Sequence, residues 1–323
     1  MKKSILAAVA AATALAAPAV LAQNDFPSKP IRMIVTFPPG GSTDLIARVM
    51  APVMSKNLGQ QVVVENKGGA GGNIGAEAVA RSAPDGYTLV FSGAGALGIN
   101  SVLYRSMPFN PVKDLAPVSL VATSPFVLVG PANSPYKDVQ ALLADAKASP
   151  GKLSLGHGGQ GTVMHLASEL FNQLGQVKTV LVPYKGTGPA TTDALAGQIP
   201  LAMSDTPSAV PYIKEGRLKA FAVTTSERSS SLPDVPTLAE AGMKGYEAMG
   251  WFAIAVPAGT PDPIIKRLNQ AITAALNDPQ VIERVRAAGA DPSPTSPEEL
   301  QKLIATDIAK WGDIVKQVGL NLN

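Results

Sequence analysis

Cysteine is absent from the 323 residues, and histidine occurs only twice, as His157 and His165. The lack of cysteine excludes disulfides, thiol nucleophiles and cysteine-bound metals. The two histidines lie eight residues apart, whereas a zinc-binding pair on one helix needs the i, i+4 spacing. We therefore predict no metal site and no cofactor. On its predicted helix His165 faces away from the apolar residues, which predicts a solvated histidine or one that supports a neighbouring group.

Long hydrophobic runs are also lacking, and the one near the N-terminus is too short to span a membrane. Lys2 and Lys3 precede an alanine-rich apolar run over residues 5–15, and small residues follow up to Ala22. This order of basic, apolar and small residues is typical of a secretory signal peptide. A membrane anchor would need about 20 strongly apolar residues. We predict a signal peptide over residues 1–22, cleavage after Ala22, and a soluble exported protein.

An excess of charge of either sign is lacking as well. The chain has 27 Lys and Arg against 24 Asp and Glu, and loss of Lys2 and Lys3 with the signal peptide leaves a net charge of about +1. Because attraction to phosphates supplies much of the affinity of nucleic-acid binders, we predict no nucleic-acid partner. The length of the chain predicts two domains.

Segments rich in β-forming residues alternate with helical patterns through the rest of the chain. The predicted strands are IRMIVTF, QVVVEN, YTLVFSG, VLVG, KTVLVPY, LKAFAVT and WFAIAVP. One predicted helix ends at Gly59, another ends at Gly175, a third spans residues 263–276, and two more follow Pro279 and Pro297. Alternation of this kind predicts an α/β fold with largely parallel sheets.

Six turns rich in glycine or hydroxyl residues stand at predicted strand ends or helix starts. Three of them lie before residue 100 and three after residue 150. The expected helix caps in these turns are Asn73, Thr162, Thr187 and Thr206, and Ser296 is expected to cap the last helix. In open α/β sheets, ligands bind beyond the carboxyl ends of the strands. The distribution of the turns predicts two lobes that present helix N-termini to one shared cleft.

The first of these turns lies in the segment TFPPGGSTDLIARVM, residues 36–50. Its order of strand, glycine-rich turn and helix start is that of a phosphate-binding loop. A nucleotide-binding loop needs a lysine directly after its last glycine, but Ser42 follows Gly41 here, and Asp44 would repel a polyphosphate. Two interpretations remain: a plain helix cap by Ser42 or Thr43, or a nest of backbone amides for a compact anion such as a carboxylate. The recurrence of such turns favours the second interpretation.

Catalytic chemistry finds little support in the sequence. No G-x-S-x-G segment is present, and no local signature pairs either histidine with a serine. Asp44, Asp193 and Asp205 stand near helix starts, where carboxylates usually cap a helix or interact with its dipole. Asp205 differs because it lies between an apolar stretch and a helix start, so it could face the cleft and accept a hydrogen bond from a ligand amine or hydroxyl.

Eight segments of the chain resemble the periplasmic solute receptors of tripartite tricarboxylate transporters, also called Bug receptors. In family order they are FPPGGSTDLIAR, VVENKGGAGGNIGAEAVA, PDGYTLV, KDLAPVSLV, HLASELF, VPYKGTGPATTDALAGQ, LPDVPTLAEAG and VPAGTP. The resemblance covers nearly the whole chain after the predicted signal peptide. Two sites depart from it, because His157 and Gly158 replace small hydroxyl residues that relatives more often carry, and Ser204 stands where an aromatic residue is common.

The resemblance implies a type II periplasmic-binding-protein fold, in which two α/β lobes joined by two crossover connections enclose a central ligand cleft. Residues 23–123 and 248–323 would form lobe 1, and residues 124–247 would form an inserted lobe 2. The implied ligands are carboxylic acids, held by backbone amides and ordered water rather than by an arginine. The implied ligand-binding residues are Phe37, Pro39, Gly40, Gly41, Ser42, Thr43, Asp44, Asn73, Ser92, Gly95, Gly159, Gln160, Thr162, Thr187 and Asp205.

These expectations combine into one functional hypothesis. It predicts a monomeric periplasmic receptor, not an enzyme, that captures a small carboxylate between the lobes and delivers it to integral-membrane transporter subunits. Residues 40–43 would hold one end of the ligand from lobe 1, Gln160, Thr162 and Thr187 would contact it from lobe 2, and Asp205 would bind a polar group. The alternatives are a ligand sensor for a membrane signalling partner and an exported hydrolase with His165 or Asp205 as its base.

Overall fold

The structure, a computed structural model, describes residues 26–287, 289–320 and 322. The predicted signal peptide and its cleavage site after Ala22 lie outside these residues. None of the helices formed by the described residues could span a bilayer, because none is both long enough and apolar enough.

The described residues form ten strands in one mixed sheet. In chain order the strands are β1 (Ile31–Val35), β2 (Val62–Asn66), β3 (Thr88–Gly93), β4 (Leu115–Pro131), β5 (Ser154–His157), β6 (Val180–Pro183), β7 (Leu201–Asp205), β8 (Leu218–Val223), β9 (Met249–Pro257) and β10 (Asp291–Pro292). Across the sheet the order is β2, β1, β3, β9, β4, β7, β5 and β6, and both β8 and β10 pair with β4.

Helices fill most of the connections between these strands. They are α1 (Ser42–Leu58), α2 (Asn73–Ala80), α3 (Asn100–Leu103), α4 (Pro111–Asp114), α5 (Val139–Ala148), α6 (Val163–Gly175), α7 (Thr187–Leu195), α8 (Thr206–Lys214), α9 (Asp262–Leu276), α10 (Pro279–Ala287) and α11 (Pro297–Val318). A short 3₁₀ turn, Ala70–Gly72, precedes α2, and a π-helical turn, Gly95–Ile99, precedes α3. The helices predicted from the apolar spacing after the first strand, over residues 263–276 and after Pro279 and Pro297 are confirmed.

The direction of the strands differs between the two ends of the sheet and its centre. At one end β1 pairs in parallel with β2 and β3, and at the other end β5 pairs in parallel with β6 and β7. In the centre β9 is antiparallel to β3 and β4, and β4 is antiparallel to β7 and β8. The prediction of largely parallel sheets is therefore wrong for the centre. Helical crossovers impose parallel pairing only within the consecutive units at each end.

Strand β4 belongs to both ends of the sheet. Its residues Leu115 to Pro125 pair with β9, and its residues Phe126 to Val129 pair with β7. We call β1, β2, β3, β9 and β10 the first strand group and β5, β6, β7 and β8 the second strand group. The predicted lobe boundaries, residues 23–123 and 248–323 against 124–247, remain a prediction.

Two buried strands of the second strand group, β5 and β7, were not predicted. All five residues of β7 are buried, so the segment LAMSD shows no alternation of apolar and polar residues. A short continuous apolar run of this kind has no periodicity by which to recognise a strand. The first part of β4 was also missed, because Pro117 and Pro125 suggest a loop. The register of β4 against β9 shifts between Pro117 and Ser119, which accommodates the first of these prolines.

Helix α1 shows how the local sequence positions the first glycine-rich turn. Ile46, Met50 and Met54 are almost completely buried on one face of α1, as the spacing predicts. Gly59 ends the helix in the left-handed conformation with φ 73°, which glycine adopts without strain. Because this buried face fixes α1 against the sheet, its N-terminus is held at the end of β1.

The helix caps agree only partly with the predicted ones. Thr162 caps α6 through its hydroxyl, and Ser296 caps α11 with a complete capping box formed with Glu299. The other three predicted caps are wrong, because Gly72 precedes α2, Gly186 precedes α7 and Asp205 caps α8. The side chains of Asn73, Thr187 and Thr206 instead donate or accept hydrogen bonds across the fold.

Candidate functional site

A cavity of about 760 Å³ lies between residues of the first and the second strand groups. Its wall combines glycine-rich turns, helix starts and a set of aromatic side chains. The lining residues include Phe37, Pro39, Gly40, Gly41, Ser42, Thr43, Leu45, Gly71, Gly93, Gly95, Phe126, Gly158, Thr162, Val163, Met164, Lys185, Gly186, Thr187, Asp193, Asp205, Pro207, Ser208, Tyr212, Glu215, Trp251 and Phe252. The shared cleft predicted from the distribution of turns therefore corresponds to a real concavity.

Four helices begin at the wall of this cavity. The lining includes the first residues of α1, α6, α7 and α8, represented by Ser42, Val163, Thr187 and Pro207. Amides in the first turn of a helix have no acceptor within that helix, and the helix dipole adds positive potential there. The four helix starts come from distant parts of the chain, and two of them, α1 and α7, have no side-chain cap, so their amides are suited to an anionic group.

Ten of the fifteen predicted ligand-binding residues line the cavity. They are Phe37, Pro39, Gly40, Gly41, Ser42, Thr43, Gly95, Thr162, Thr187 and Asp205. Gly41 is the residue before α1, and neither Ser42 nor Thr43 makes a capping hydrogen bond there. The interpretation of this turn as a plain side-chain cap is therefore wrong. The Ser42 and Thr43 side chains, both buried, lie instead in the cavity wall.

Asp44 does not line the cavity but stabilises the turn that does. One of its carboxylate oxygens accepts the backbone N–H of Gly40 at 3.0 Å, and the other accepts hydrogen bonds from Arg48 and Asn66 at 2.9 Å each. Burial alone would raise the pKa of Asp44, but the hydrogen bonds from Arg48, Gly40 and Asn66 outweigh it and hold the pKa below its usual value. The N–H of Gly40 is consequently committed to Asp44, which leaves Gly41, Ser42 and Thr43 as the amides nearest the cavity.

The other four predicted residues lie beside the lining rather than in it. Ser92 is buried and forms a hydrogen bond with Thr36 at 2.6 Å between the two hydroxyl oxygens. Asn73 accepts a hydrogen bond from Asn100 at 2.6 Å. Gly159 and Gln160 belong to the loop between β5 and α6, of which Gly158 and Thr162 line the cavity. In these segments Gly71, Gly93 and Gly158 line the cavity instead, and the assignment of the fifteen residues to ligand binding remains a prediction.

Asp205 is the most deeply buried acid in the cavity wall, with 1% of its surface exposed. One carboxylate oxygen accepts hydrogen bonds from the hydroxyls of Ser42 and Thr187, and the other accepts the backbone N–H of Ser208 at 3.1 Å. Burial raises the pKa of Asp205, and the hydrogen bonds from Ser208, Ser42 and Thr187 oppose that shift. The carboxylate thus joins α1, α7 and α8 at one point of the cavity.

His157 and His165 stack against each other, with ring centroids 4.8 Å apart and an angle of 8° between the planes. Both side chains are buried, so the prediction of a solvated His165 is wrong. Burial lowers the pKa of His157 to about 3, with His165 adding to the effect, and burial lowers the pKa of His165 to about 4. Nδ1 of His157 accepts the N–H of Gly159 at 3.3 Å. The pair therefore supports, as neutral rings, the loop that reaches the cavity.

Several lining residues carried no signal that sequence patterns could detect. Trp251 and Phe252 were predicted only as part of a strand, and Phe126 comes from the unpredicted middle of β4. Trp251 donates its indole N–H to Asp307 of α11 at 2.6 Å, which fixes this wall against the last helix. Tyr212 lies at a position of α8 that depends on how distant segments pack, whereas Lys185 belongs to one of the six predicted turns. No sequence signal short of the full fold would place these residues at one cavity.

Amides, hydroxyls and aromatic rings can hold an organic anion, whereas neither histidine is among the lining residues. No group of three His, Cys, Asp or Glu side chains positioned to hold a metal ion occurs within the described ranges of the chain.

Comparison with known proteins gives consistent matches over most of the chain. The family model described as "Tripartite tricarboxylate transporter family receptor" matches residues 46–320. Protein BugT of Bordetella pertussis is 41% identical over 313 residues, covering 97% of this chain and 95% of BugT. MatC of Rhodopseudomonas palustris, solved with bound malate, is 36% identical with a TM-score of 0.86, covering 90% of this chain and 100% of that one. Another R. palustris protein, solved with adipate, is 35% identical with a TM-score of 0.88, covering 92% and 100% of the two chains.

Proposed function

Since the chain belongs to the tripartite tricarboxylate transporter receptor family, we propose that it captures a small carboxylate in the cavity and presents it to the membrane subunits of such a transporter. The family resemblance and the type II periplasmic-binding-protein fold predicted from the sequence are both confirmed. The observation that carries the ligand assignment is the convergence on one cavity of four helix starts, of which α1 and α7 have no side-chain cap. Relatives solved with malate and adipate support it.

One end of the ligand binds to the first turn of α1 in this proposal. The amides of Gly41, Ser42 and Thr43 donate to a carboxylate from one side, and Thr162 and Thr187 close the site from the other. All five residues line the cavity. Gln160 does not, so its predicted contact is left out of the proposed site. Asp205 organises the Ser42 and Thr187 hydroxyls around the ligand rather than contacting a ligand amine.

The family supports a location and a mode of action for this chain. Its members are receptors, so we propose that this chain works in the periplasm after removal of residues 1–22, and that it binds its ligand without chemical conversion. The buried and neutral state of His157 and His165 supports binding over hydrolysis, because neither ring lines the cavity where it could act as a base. Binding by two walls of one cleft favours closure around the ligand.

The test uses two substitutions that disturb the proposed carboxylate contacts at the start of α1 but keep the fold. Gly41 is in extended backbone with φ −80°, and a methyl group there would lie 3.7 Å from the nearest atom, so Gly41→Val is compatible with the local structure. Thr43→Pro removes an N–H at the second position of α1, the position that Pro207 and Pro263 occupy in α8 and α9. Both variants should lose carboxylate binding and still unfold cooperatively.

The measurement is thermal shift against a panel of carboxylic acids. A ligand at a hundred times its dissociation constant should stabilise the wild-type protein by about 2.7 kcal/mol. Glu298→Pro, at the second position of α11, is the matched control and should respond like the wild type. Wild-type responses in Gly41→Val or Thr43→Pro would contradict the site, and a wild-type protein indifferent to every acid would contradict the proposed function.

A further inference from the structure

The last helix, α11, lines a second cavity, of about 420 Å³. The rest of its lining comes from α4, the π-helical turn Gly95–Ile99, the first residues of α3 and β4, and β9. We call this space the α11 cavity. Among the described residues, none lines both this cavity and the one proposed to bind carboxylates. Its volume is within the range of sites that bind small molecules.

Apolar side chains dominate the lining of the α11 cavity. Leu300, Ile304 and Ile308 lie four residues apart on one face of α11, and all three line the cavity. Leu300 is fully buried, whereas Ile304 and Ile308 are half-buried. Val112 of α4 also lines the cavity and has 53% of its surface exposed. An apolar group that covers Val112 and the two isoleucines removes this surface from water, which favours binding.

Hydrogen bonds and a close contact hold the walls of the α11 cavity in place. Oδ1 of Asn110 caps α4 by accepting the N–H groups of Val112 and Lys113 at 3.0 and 3.1 Å. The π-helical turn packs directly on α11, because a methyl group at Gly98 would lie 2.9 Å from Ile304. The cavity is therefore preformed, and a ligand binds there without a large loss of conformational entropy in the protein.

The polar residues of the lining favour an anion. Among the described residues of the lining, Lys113 is the one charged side chain, and none is acidic. The neutral polar residues there are Ser101, Asn110 and Gln301, and all three are exposed. Since Oδ1 of Asn110 is engaged in the cap, its amide Nδ2 remains to contact a ligand, as a donor. A lysine and amide donors with no carboxylate beside them attract a negatively charged head group and repel a positively charged one.

We infer that the α11 cavity is a second binding site, for a soluble single-chain amphiphile with an anionic head group. The head group binds beside Lys113, Asn110 and Gln301, and the apolar chain covers Val112 and the exposed part of Ile304. This inference goes beyond the proposed function and does not depend on it, because none of these residues belongs to the proposed carboxylate site.

The first experiment compares two amphiphiles of opposite charge by titration calorimetry. Octyl sulfate and octylammonium carry the same apolar chain, and both are used below the concentrations at which they form micelles. Octyl sulfate should bind the wild-type protein at least about threefold more tightly, because Lys113 attracts one head group and repels the other. Equal affinities, tighter binding of octylammonium or no binding of octyl sulfate would overturn the inference.

Reversal of the charge at position 113 tests the location of the head group. In Lys113→Glu the preference should be reversed, so that octylammonium binds more tightly than octyl sulfate. Lys302→Glu makes the same change at an exposed position of α11 outside the cavity lining, and this control should keep the wild-type preference. An unchanged preference in Lys113→Glu would overturn the inference.

A pair of valine variants tests the location of the apolar chain. Val112→Asn should weaken octyl sulfate binding at least about threefold through the loss of apolar contact area. Val102→Asn, at a position of α3 that is 38% exposed and outside the cavity lining, is the matched control and should keep wild-type affinity. Unchanged octyl sulfate affinity in Val112→Asn would overturn the assignment of this cavity.

Two further measurements separate this site from other ways of binding an amphiphile. Gly41→Val, which should lose carboxylate binding, should bind octyl sulfate like the wild type. Loss of octyl sulfate binding in that variant would place the sulfate at the start of α1 and overturn the second site. With vesicles of phosphatidylglycerol the protein should stay in the supernatant after centrifugation, whereas sedimentation with the vesicles would indicate a bilayer lipid and overturn the soluble class of ligand.

Discussion

Ser42, in the first turn of α1, donates its hydroxyl hydrogen to the carboxylate of Asp205 at the end of β7. The two residues are 163 positions apart in the chain, and both line the cavity. Asp205 at the same time caps α8 through the Ser208 amide. One buried carboxylate therefore connects the start of α8, which follows β7, to the start of α1, which follows β1.

A double-mutant cycle on Ser42→Ala and Asp205→Asn measures this link. Ser42→Ala removes the donor of a buried hydrogen bond and Asp205→Asn removes the charge of its acceptor, so the unfolding free energies should be non-additive by about 0.5–3 kcal/mol. Urea unfolding of the wild type, both single variants and the double variant provides the value. Ser42→Ala combined with Ser296→Ala, at distant sites, should be additive within about 0.5 kcal/mol. Additivity in the Ser42 and Asp205 cycle would show that the hydrogen bond contributes nothing in solution.

Glycine at position 95 permits the two strand groups to approach each other. A methyl group there would overlap the carbonyl oxygen of Gly161, in the loop that the histidine pair supports. Gly95→Ala should therefore hold the cleft open, weaken carboxylate binding at least about tenfold and leave the fold intact, since the overlap is relieved by separation rather than unfolding.

Gly312→Ala provides the control for this change. Its methyl group would lie 3.8 Å from Val102, an ordinary contact distance, on α11. Gly312→Ala should bind carboxylates like the wild type. Small-angle scattering should detect a ligand-induced contraction in Gly312→Ala but not in Gly95→Ala. Equal affinities of the two variants would contradict the role assigned to Gly95.

The buried histidines predict a defined pH dependence of stability. Burial lowers the pKa of His157 to about 3 and that of His165 to about 4, from an ordinary value of 6.5. Between about pH 4 and 6.5 the unfolded chain then binds more protons than the folded one, so the free energy of unfolding falls as the pH is lowered through this range. The loss between pH 7 and pH 5 should be about 2 kcal/mol for each histidine.

The double variant His157→Asn and His165→Gln should remove this part of the dependence. Urea unfolding at pH 7 and pH 5 measures the change in the free energy of unfolding with pH. A loss of stability caused by repacking is the same at both pH values and does not alter this change. Leu170→Ala is a core substitution in α6, the helix that contains His165, and it retains both histidines. This variant should keep the wild-type dependence of stability on pH. An unchanged slope in the double variant would mean that the histidines are not neutral and buried in the folded protein.

The capping box of α11 predicts a local contribution to stability. The Ser296 hydroxyl accepts the N–H of Glu299 at 3.2 Å, and the Glu299 carboxylate accepts the N–H of Ser296 at 2.8 Å. Ser296→Ala should lower the free energy of unfolding by about 1 kcal/mol, and Ser296→Asp should restore most of it. Equal stability of the alanine and wild-type proteins in urea would contradict this assignment.

The caps illustrate why only part of the site could be predicted. Ser296 and Thr162 accept hydrogen bonds from residues three positions further along the chain, so a local pattern is sufficient to identify them. Thr187 and Thr206 occupy equivalent sequence contexts, but their hydroxyls bond to Asp205 and to the carbonyl of Pro125 instead. The choice between a cap and a long-range partner depends on what packs beside the turn, which the local pattern does not contain.

Short-range features of the chain were sufficient for the α/β class, for helix α1 after the first glycine-rich turn, and for the glycine-rich turns that line the cavity. Each of these depends on residues within about one or two turns of each other. The pairing of Ser42 with Asp205, the burial of His165 and the aromatic wall at Trp251 depend on the fold as a whole. They arise where β4 passes from one strand group to the other and brings segments more than 100 residues apart into one cavity. Long-range contacts of this kind are set by the register and packing of the whole sheet, for which no single segment carries the information.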